Sequence, residues 1–298
     1  MNRIIVTGGL GFIGSHFVNY VLDNTDDEIL IIDNFSYAAN VNNIKHDVPI
    51  LNKDICDVNE SDLGDYDYIV NFAAESHVDN SIKNGLPFIK SNVFGVFNLL
   101  EVAKKNKNIK KFLQISTDEV YGDVVNNKNF SLETDILNPS SYYSSSKASA
   151  DLIVISANKT YGLPYLITRT CNNYGENQND EKFLPKIIKS IKNNNTIPVY
   201  GNGNQIREWI YVGDNVKSIY KLLISNEKND IFNIGSEERY TNNELIKLIG
   251  NILDRKVNFQ YVVDRLGHDK KYSLDSKKYT NIFGDISSIN LGNWLKIH

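Results

Sequence analysis

The chain has 298 residues, 41% hydrophobic and 23% charged, the balance of an ordinary soluble globular protein. At that length one large α/β domain, or a cofactor domain with a smaller partner, can bury a core without disulfides or metal. A formal net charge of −4 argues against a phosphate-backbone binder, so nucleic acid is not an expected partner. A basic pocket inside the acidic chain stays compatible with these totals. Cys56 and Cys171 lie far apart in no metal spacing, and the five histidines form no H-x-x-x-H pattern. Two reduced, buried thiols and no metal are expected. No apolar run approaches the ~18 residues that span a bilayer, and no charged-then-apolar leader opens the chain. The expectation is a cytosolic protein with no membrane partner.

In chain order, the first half alternates short β-branched runs with longer helical patterns, the mark of a parallel sheet with crossovers. Strands are predicted at Arg3 to Thr7, Glu28 to Asp33, Tyr68 to Asn71, Lys111 to Ser116 and Pro164 to Cys171. Helices are predicted at Gly11 to Leu22, Pro87 to Lys105 and Tyr143 to Tyr161. After about residue 172 the elements shorten. The Asn-rich stretches Asn172 to Asp180 and Asn193 to Asn195 read as loops that line a surface cleft.

Thr7-Gly8-Gly9-Leu10-Gly11-Phe12-Ile13-Gly14 follows the first strand and opens a helix. Glycines at this spacing allow a tight turn, a close backbone approach to pyrophosphate, and close helix-to-strand packing. The helix N-terminus then offers N–H groups and partial positive charge to phosphates. Asp33 ends the second strand 19 residues beyond Gly14, near the ~20 of a ribose-binding carboxylate. A carboxylate there repels a 2′-phosphate, which favours NAD over NADP. Asn34 follows it, Asp54-Ile55 are candidates for the adenine, and Ala73-Ala74 are small enough for the dinucleotide to lie against the backbone. The predicted fold is α/β, a Rossmann-type doubly wound parallel sheet with a smaller C-terminal substrate-binding α/β region. The predicted division is 1–171, with later segments returning to it, and 172–298.

Tyr143 and Lys147 form Y-x-x-x-K, an i, i+4 spacing that puts both on one helix face. A cation beside the phenol is expected to lower its pKa, so that tyrosine can take a hydroxyl proton while hydride leaves the same carbon. Thr117-Asp118-Glu119 follow a strand end, where open α/β sheets bind ligands. Adjacent carboxyls in a cleft repel, so one keeps its proton and the pair offers an acid beside a base. Taken alone, the pair reads as readily as a solvated acidic turn or a helix N-cap.

With these motifs in order, the chain resembles the extended short-chain dehydrogenase/reductases, and within them the dTDP-glucose 4,6-dehydratases. The resemblance rests on TGGLGFIGS, AAESHVDNSI, ISTDEVYG, SYYSSSKASAD, NNYGENQNDEKFLP, GNGNQIREWIYV, FNIG and DRLGHDKKYSLD, from Val6 to about Asp275. It implies a homodimer built on the helices near Phe88 to Lys105 and Tyr143 to Tyr161, and a role in deoxysugar synthesis, rhamnose included. The reaction it implies begins as Tyr143, assisted by Lys147 and Thr117, deprotonates the glucose 4-hydroxyl while NAD takes the C4 hydride. Glu119 then removes the C5 proton, protonated Asp118 donates to the departing C6 hydroxyl, and the hydride returns to C6. Carried over by position, Asn172 and Arg207 are implied diphosphate ligands. Asn233, His268 and Tyr272 are implied nucleotide or phosphate contacts, and Ser76 a contact of the sugar. The chain departs from the family pattern in a shorter segment between Asn40 and Lys53 and in Lys270-Lys271 where basic pairs are usually arginine. It departs also in an end at Trp294 to His298 without the final amphipathic helix of many relatives.

The rivals are a 4-epimerase, a UDP-glucuronate decarboxylase, a GDP-mannose dehydratase or a UDP-glucose 4,6-dehydratase. A non-catalytic NAD or sugar-nucleotide binder on the same fold is a further alternative. Eliminating hydroxide needs a proton donor and epimerisation does not, so the acid at Asp118 favours a dehydratase over an epimerase.

Overall fold

A computed structural model describes residues 1–124 and 129–297. Twelve strands are used below: β1 (Arg3–Thr7), β2 (Glu28–Asp33), β3 (Ile50–Asn52), β4 (Tyr68–Asn71), β5 (Lys111–Thr117), β6 (Tyr165–Thr170), β7 (Asn172–Tyr174), β8 (Ile197–Tyr200), β9 (Ile206–Tyr211), β10 (Asp230–Ile234), β11 (Arg239–Thr241) and β12 (Phe259–Val262).

β4, β5 and β6 are buried along their whole length, apolar at most positions and with their polar side chains, such as Gln114 and Arg169, buried as well. Successive side chains of a strand point to opposite faces. Ile4 and Val6 therefore join one core with Phe17, Val21, Val216 and Ile219, while Ile5, Ile69, Phe112 and Ile167 join another with Val96, Leu99 and Val154. Helices Phe12–Asn24 and Val212–Ile224 cover the first face. Tyr142–Tyr161 and the continuous run Leu86–Phe88, Ile89–Gly95 and Val96–Ala103, with a π-type middle turn, cover the second.

Seven strands make one parallel sheet in the order β10-β6-β5-β4-β1-β2-β3. The order reverses between β1 and β4, so a crevice opens beyond their carboxyl ends. β10 comes from the second half of the chain and extends this sheet beside β6. The smaller lobe has a three-stranded sheet, β11-β9-β7, and a two-stranded one, β12-β8. Its own core holds Tyr174, Leu184, Ile187, Trp209, Leu245 and Ile249. No helix among the described residues is long and apolar enough to cross a membrane.

Two expectations change here. Asn172–Tyr174 is not loop but strand β7, held parallel to β9, because the Asn173 amide satisfies the interior, donating to the Cys171 carbonyl at 3.0 Å and accepting from Asn215 at 2.8 Å. The chain also carries a terminal amphipathic helix, Leu291–Ile297, which turns Leu291, Trp294 and Leu295 into the second core. His298 lies outside the described residues.

Behind the helix Tyr142–Tyr161 sits a buried ion pair, Arg169 Nε to Asp151 Oδ2 at 3.0 Å. Arg169 also donates to the Tyr121 hydroxyl at 2.9 Å. Burial raises the Asp151 carboxyl, and Arg169 leads the influences opposing it. Removing one partner of such a pair strands the other charge, at a cost of about 3–5 kcal/mol. Asp151→Asn should lower the unfolding free energy by that order in a urea titration, and Asp151→Leu combined with Arg169→Met by clearly less.

Candidate active site

A cleft of about 500 Å³ opens at the carboxyl ends of the large sheet. Gly8, Gly11, Phe12, Ile13, Gly14, Asp33, Asn34, Asp54, Ile55, Ala73 and Ala74 all line it, and so do Tyr143 and Lys147. The glycine turn is shaped by contact. Gly8 has φ 67°, and a Cβ there would lie 2.6 Å from the Ala73 nitrogen. A Cβ at Gly14 would lie 2.3 Å from the Gly8 carbonyl oxygen. At Gly11 the nearest atom would be that same oxygen at 3.4 Å, so no packing demand keeps Gly11 small. What its missing side chain leaves open is the floor of the cleft.

Gly11 also caps the helix Phe12–Asn24 without any side-chain hydrogen bond, and no acidic residue stands in the first turn. The amides at that end remain available to an anion. These features fit the pyrophosphate of a dinucleotide. Asp33 accepts from the Leu10 N–H at 3.0 Å through Oδ2 and from the Phe35 N–H at 2.9 Å through Oδ1. It therefore fixes the glycine turn as well as facing the cleft. Burial raises its pKa, and the two N–H groups oppose that. Asn34 donates to Asp54 at 3.3 Å, which ties the loops after β2 and β3 together.

Thr117 is the hub of the reactive cluster. It ends β5, caps the short 3-10 helix Asp118–Tyr121 by accepting from the Glu119 N–H at 3.3 Å, and donates to Asp118 Oδ1 at 3.1 Å. It also hydrogen-bonds Tyr143, an influence that lowers the phenol's pKa. The net shift of Tyr143 is nonetheless upward, by burial first and then by Glu119. The expected lowering by Lys147 is thus corrected. The Lys147 ammonium donates to the Ile115 carbonyl at 2.6 Å, and burial pushes Lys147 down to about 8.

The two carboxyls occupy opposite surroundings. Glu119 lines the cleft, and although burial raises its pKa, Arg207, Arg265 and Lys182 all oppose that rise. Asp118 does not line the cleft, contrary to expectation. It is enclosed behind Thr117 and Glu119 at 3% exposure, and its Oδ2 has no hydrogen-bond partner among the described residues. Burial, Glu119 and Glu208 push it well above the usual carboxylate range, with Thr117 and Arg207 in opposition. One group is set to hold a proton while its neighbour faces three cations. Such a split assigns acid and base.

Ser76, Asn172, Arg207, His268 and Tyr272 line the other half of the cleft. Arg207 donates to the carbonyls of Ile206 at 2.8 Å and Asp269 at 3.0 Å, and its guanidinium lies 4.2 Å from the centre of the Tyr272 ring. That leaves three of an arginine's five N–H donors for a ligand. Tyr272 donates to Asp269 at 2.6 Å, and His268 Nδ1 pairs with Asp264 at 2.7 Å. Asn233 is the miss. It is fully buried away from the cleft, accepts from the Tyr121 hydroxyl at 2.8 Å, and donates to the carbonyls of Ser131 and Asp275. Its amide holds loops to β10, so nothing remains for a nucleotide.

Two cleft residues escaped the motif-based reading. Lys182 donates to the Ser76 carbonyl at 3.0 Å and reaches towards Glu119, and Arg265 faces the same carboxylate. Both lie inside stretches that carry the family resemblance. The only sequence signal was that an acidic chain still had room for a basic pocket.

Known proteins resemble the chain in sequence and fold. The model of the NAD dependent epimerase/dehydratase family matches residues 4–235. The low-salt glycan biosynthesis protein Agl12 of Haloferax volcanii is 44% identical, over 92% of this chain and 90% of its own. A dTDP-glucose 4,6-dehydratase of Haemophilus influenzae is 39% identical, over 93% and 91%. Among solved structures, DesIV of Streptomyces venezuelae, a dTDP-glucose 4,6-dehydratase crystallised with NAD and TYD, superposes with a TM-score of 0.94. It is 36% identical, and the match covers 99% of this chain and 95% of that one.

The glycine geometry makes a paired prediction. Gly11→Ala should fold normally yet weaken NAD binding about tenfold or more, read by calorimetric titration. Gly14→Ala should lower Tm without ligand, because its Cβ meets main chain. Equal NAD affinity in Gly11→Ala and the unaltered protein would place the pyrophosphate elsewhere.

Proposed function

The chain belongs to the NAD dependent epimerase/dehydratase family, in its dTDP-glucose 4,6-dehydratase branch, and from that premise we propose that it converts dTDP-glucose to dTDP-4-keto-6-deoxyglucose. The observation that carries the reading is the contrast between enclosed Asp118 and cation-facing Glu119. An epimerase has no use for a stored proton beside a base.

Bound NAD supplies a site that takes up a hydride and gives it back, with a positive charge that favours a nearby phenolate. Gly8, Gly11, Gly14 and Asp33 hold it. Tyr143 accepts the proton of the sugar 4-hydroxyl as the C4 hydride leaves, and Lys147 and Thr117 fix its ring and hydroxyl. The resulting 4-ketone acidifies C5, whose proton passes to Glu119. Asp118 gives its proton to the departing C6 hydroxyl, and the Thr117 hydroxyl, 3.1 Å from Oδ1, connects the enclosed carboxyl to the cleft. Water leaves, the hydride is returned at C6, and Glu119 returns a proton to C5. Tyr143 releases the proton it took and Asp118 regains one through solvent, so the net change is loss of one water, with no second substrate. Arg207, Asn172 and Lys182 suit the diphosphate, since a guanidinium pairs phosphate oxygens at two points. This reading places the protein in the cytosol, where NAD and nucleotide sugars are made, as a supplier of precursors of deoxysugars such as rhamnose.

A homodimer goes with the reading. The helix run Leu86–Ala103 and the helix Tyr142–Tyr161 pack side by side and leave Ile89, Phe94, Phe97, Leu152 and Tyr161 exposed. Two such faces form a four-helix contact.

Four measurements test these statements. With dTDP-glucose, Tyr143→Phe should abolish the appearance of reduced nicotinamide. Asp118→Asn should still form it but lose water about 10²–10⁴ times more slowly. Sugar deuterated at C4 should give product carrying the label at C6, and its absence there would overturn the returned hydride. Light scattering should give twice the chain mass, and Phe97→Glu should halve it.

A further inference from the structure

We infer that Glu208 is the positioning residue that keeps Asp118 protonated, acting as a fixed negative charge behind the active site. The inference rests on the assignment of Asp118 as the acid and names what enforces it. Strand register relates the two residues. Thr117 of β5 pairs with Thr170 of β6, and Asn172 of β7 pairs with Trp209 of β9. Asp118 follows the first pair and Glu208 precedes the second, so Cys171, the residue that links β6 to β7, lies between them, with Glu208 on β9 of the smaller sheet. All three are buried, at 3%, 3% and 1% exposure.

Glu208 is held in place as the acidic partner of an ion pair with Arg239 and as an acceptor of main-chain hydrogen bonds. Its Oε1 accepts from the Glu237 N–H at 3.0 Å, and its Oε2 accepts from the Leu274 N–H at 3.0 Å and from Arg239 Nε at 2.9 Å. A Cβ on Gly235 would stand 2.1 Å from Oε1, so that glycine makes the room the carboxylate occupies. Asp118 has the opposite endowment, a buried Oδ2 with no donor and one hydroxyl on Oδ1. The groups facing it are Glu119 beside it, Tyr143 from the long helix, Cys171 from β6, and Arg207 and Glu208 from β9. Of these, only Arg207 favours its ionisation by charge. Arg207 also lies on the substrate side, where a diphosphate would neutralise it. Glu208 is fixed and stays.

The test reads the carboxyl itself. Infrared difference spectra of the full chain should show a protonated-carboxyl band at neutral pH that Asp118→Asn removes. In Glu208→Gln the midpoint of that band should fall by about one pH unit or more, a tenfold change in the acid-to-carboxylate ratio. The alkaline limb of kcat for water loss should move with it. Glu208→Asp, which keeps the charge, should restore both. If Glu208→Gln does not fold because Arg239 is left unpaired, Glu208→Gln with Arg239→Gln serves, since removing both partners leaves no stranded charge. A band that titrates at the unaltered midpoint in a folded Glu208 variant overturns the inference and leaves the acid assignment intact. A neutral-pH spectrum with no band belonging to Asp118 overturns the assignment itself.

Discussion

Every strand of the seven-stranded sheet runs in the same direction, so all of its carboxyl ends arrive at one edge, and the reversal between β1 and β4 opens that edge into a crevice. The chemistry of the molecule follows from this constraint. The glycine turn leaves β1, Asp33 ends β2, Ala73-Ala74 follow β4, Thr117 ends β5, and Asn172 follows β6. Residues scattered over some 170 positions of sequence converge without a long-range contact being needed to recruit each one. Buried polar groups below the edge hold the strands in step. Thr7 donates to Asn71 at 2.5 Å, and Asn71 donates to Gln114 at 2.8 Å, across β1, β4 and β5.

The second lobe contributes charge more than shape. β9 carries Arg207 and Glu208 as neighbours, and alternation along a strand sends their side chains to opposite faces. Arg207 faces the cleft, stacked on Tyr272 and opposing the rise of Glu119. Glu208 faces inward, held by Arg239. Burial raises both of the paired carboxyls and Arg207 opposes the rise of each, while Glu208 adds to the rise of Asp118.

The first half of the fold was legible because burial on both faces leaves strands as continuous apolar runs, with β1, β2 and β4 bounded as read. Strand β7 was not, since three residues rich in Asn carry the composition of a turn, and only the interior partners of Asn173 make a strand of them. A seven-residue terminal helix shows too few turns for its period to stand out, although Leu291, Trp294 and Leu295 have the spacing. The glycine motif, Tyr143, Lys147 and Glu119 could be placed because backbone geometry puts them in the cleft. Asn233 could not, because an amide satisfied by two carbonyls and a phenol looks the same in sequence as one awaiting a ligand. Asp118 was legible as a residue but not as an enclosed one, since its burial at 3% exposure is set by tertiary packing that its sequence neighbours do not reveal.

Tyr143 shows most plainly what spacing cannot decide. An i, i+4 lysine argues for a lowered phenol pKa, yet Lys147 is bound to the Ile115 carbonyl and is itself pushed down to about 8 by burial. The phenol is enclosed with Glu119 and Asp118 nearby, and these raise it. Burial and the two carboxyls therefore favour the neutral phenol, and only the hydrogen bond from Thr117 opposes them within the protein. The same burial strengthens every charge placed in the cleft, so the positive charge that NAD would bring acts on Tyr143 against that background, and the glycine cradle and the Tyr-Lys pair belong to one electrostatic arrangement.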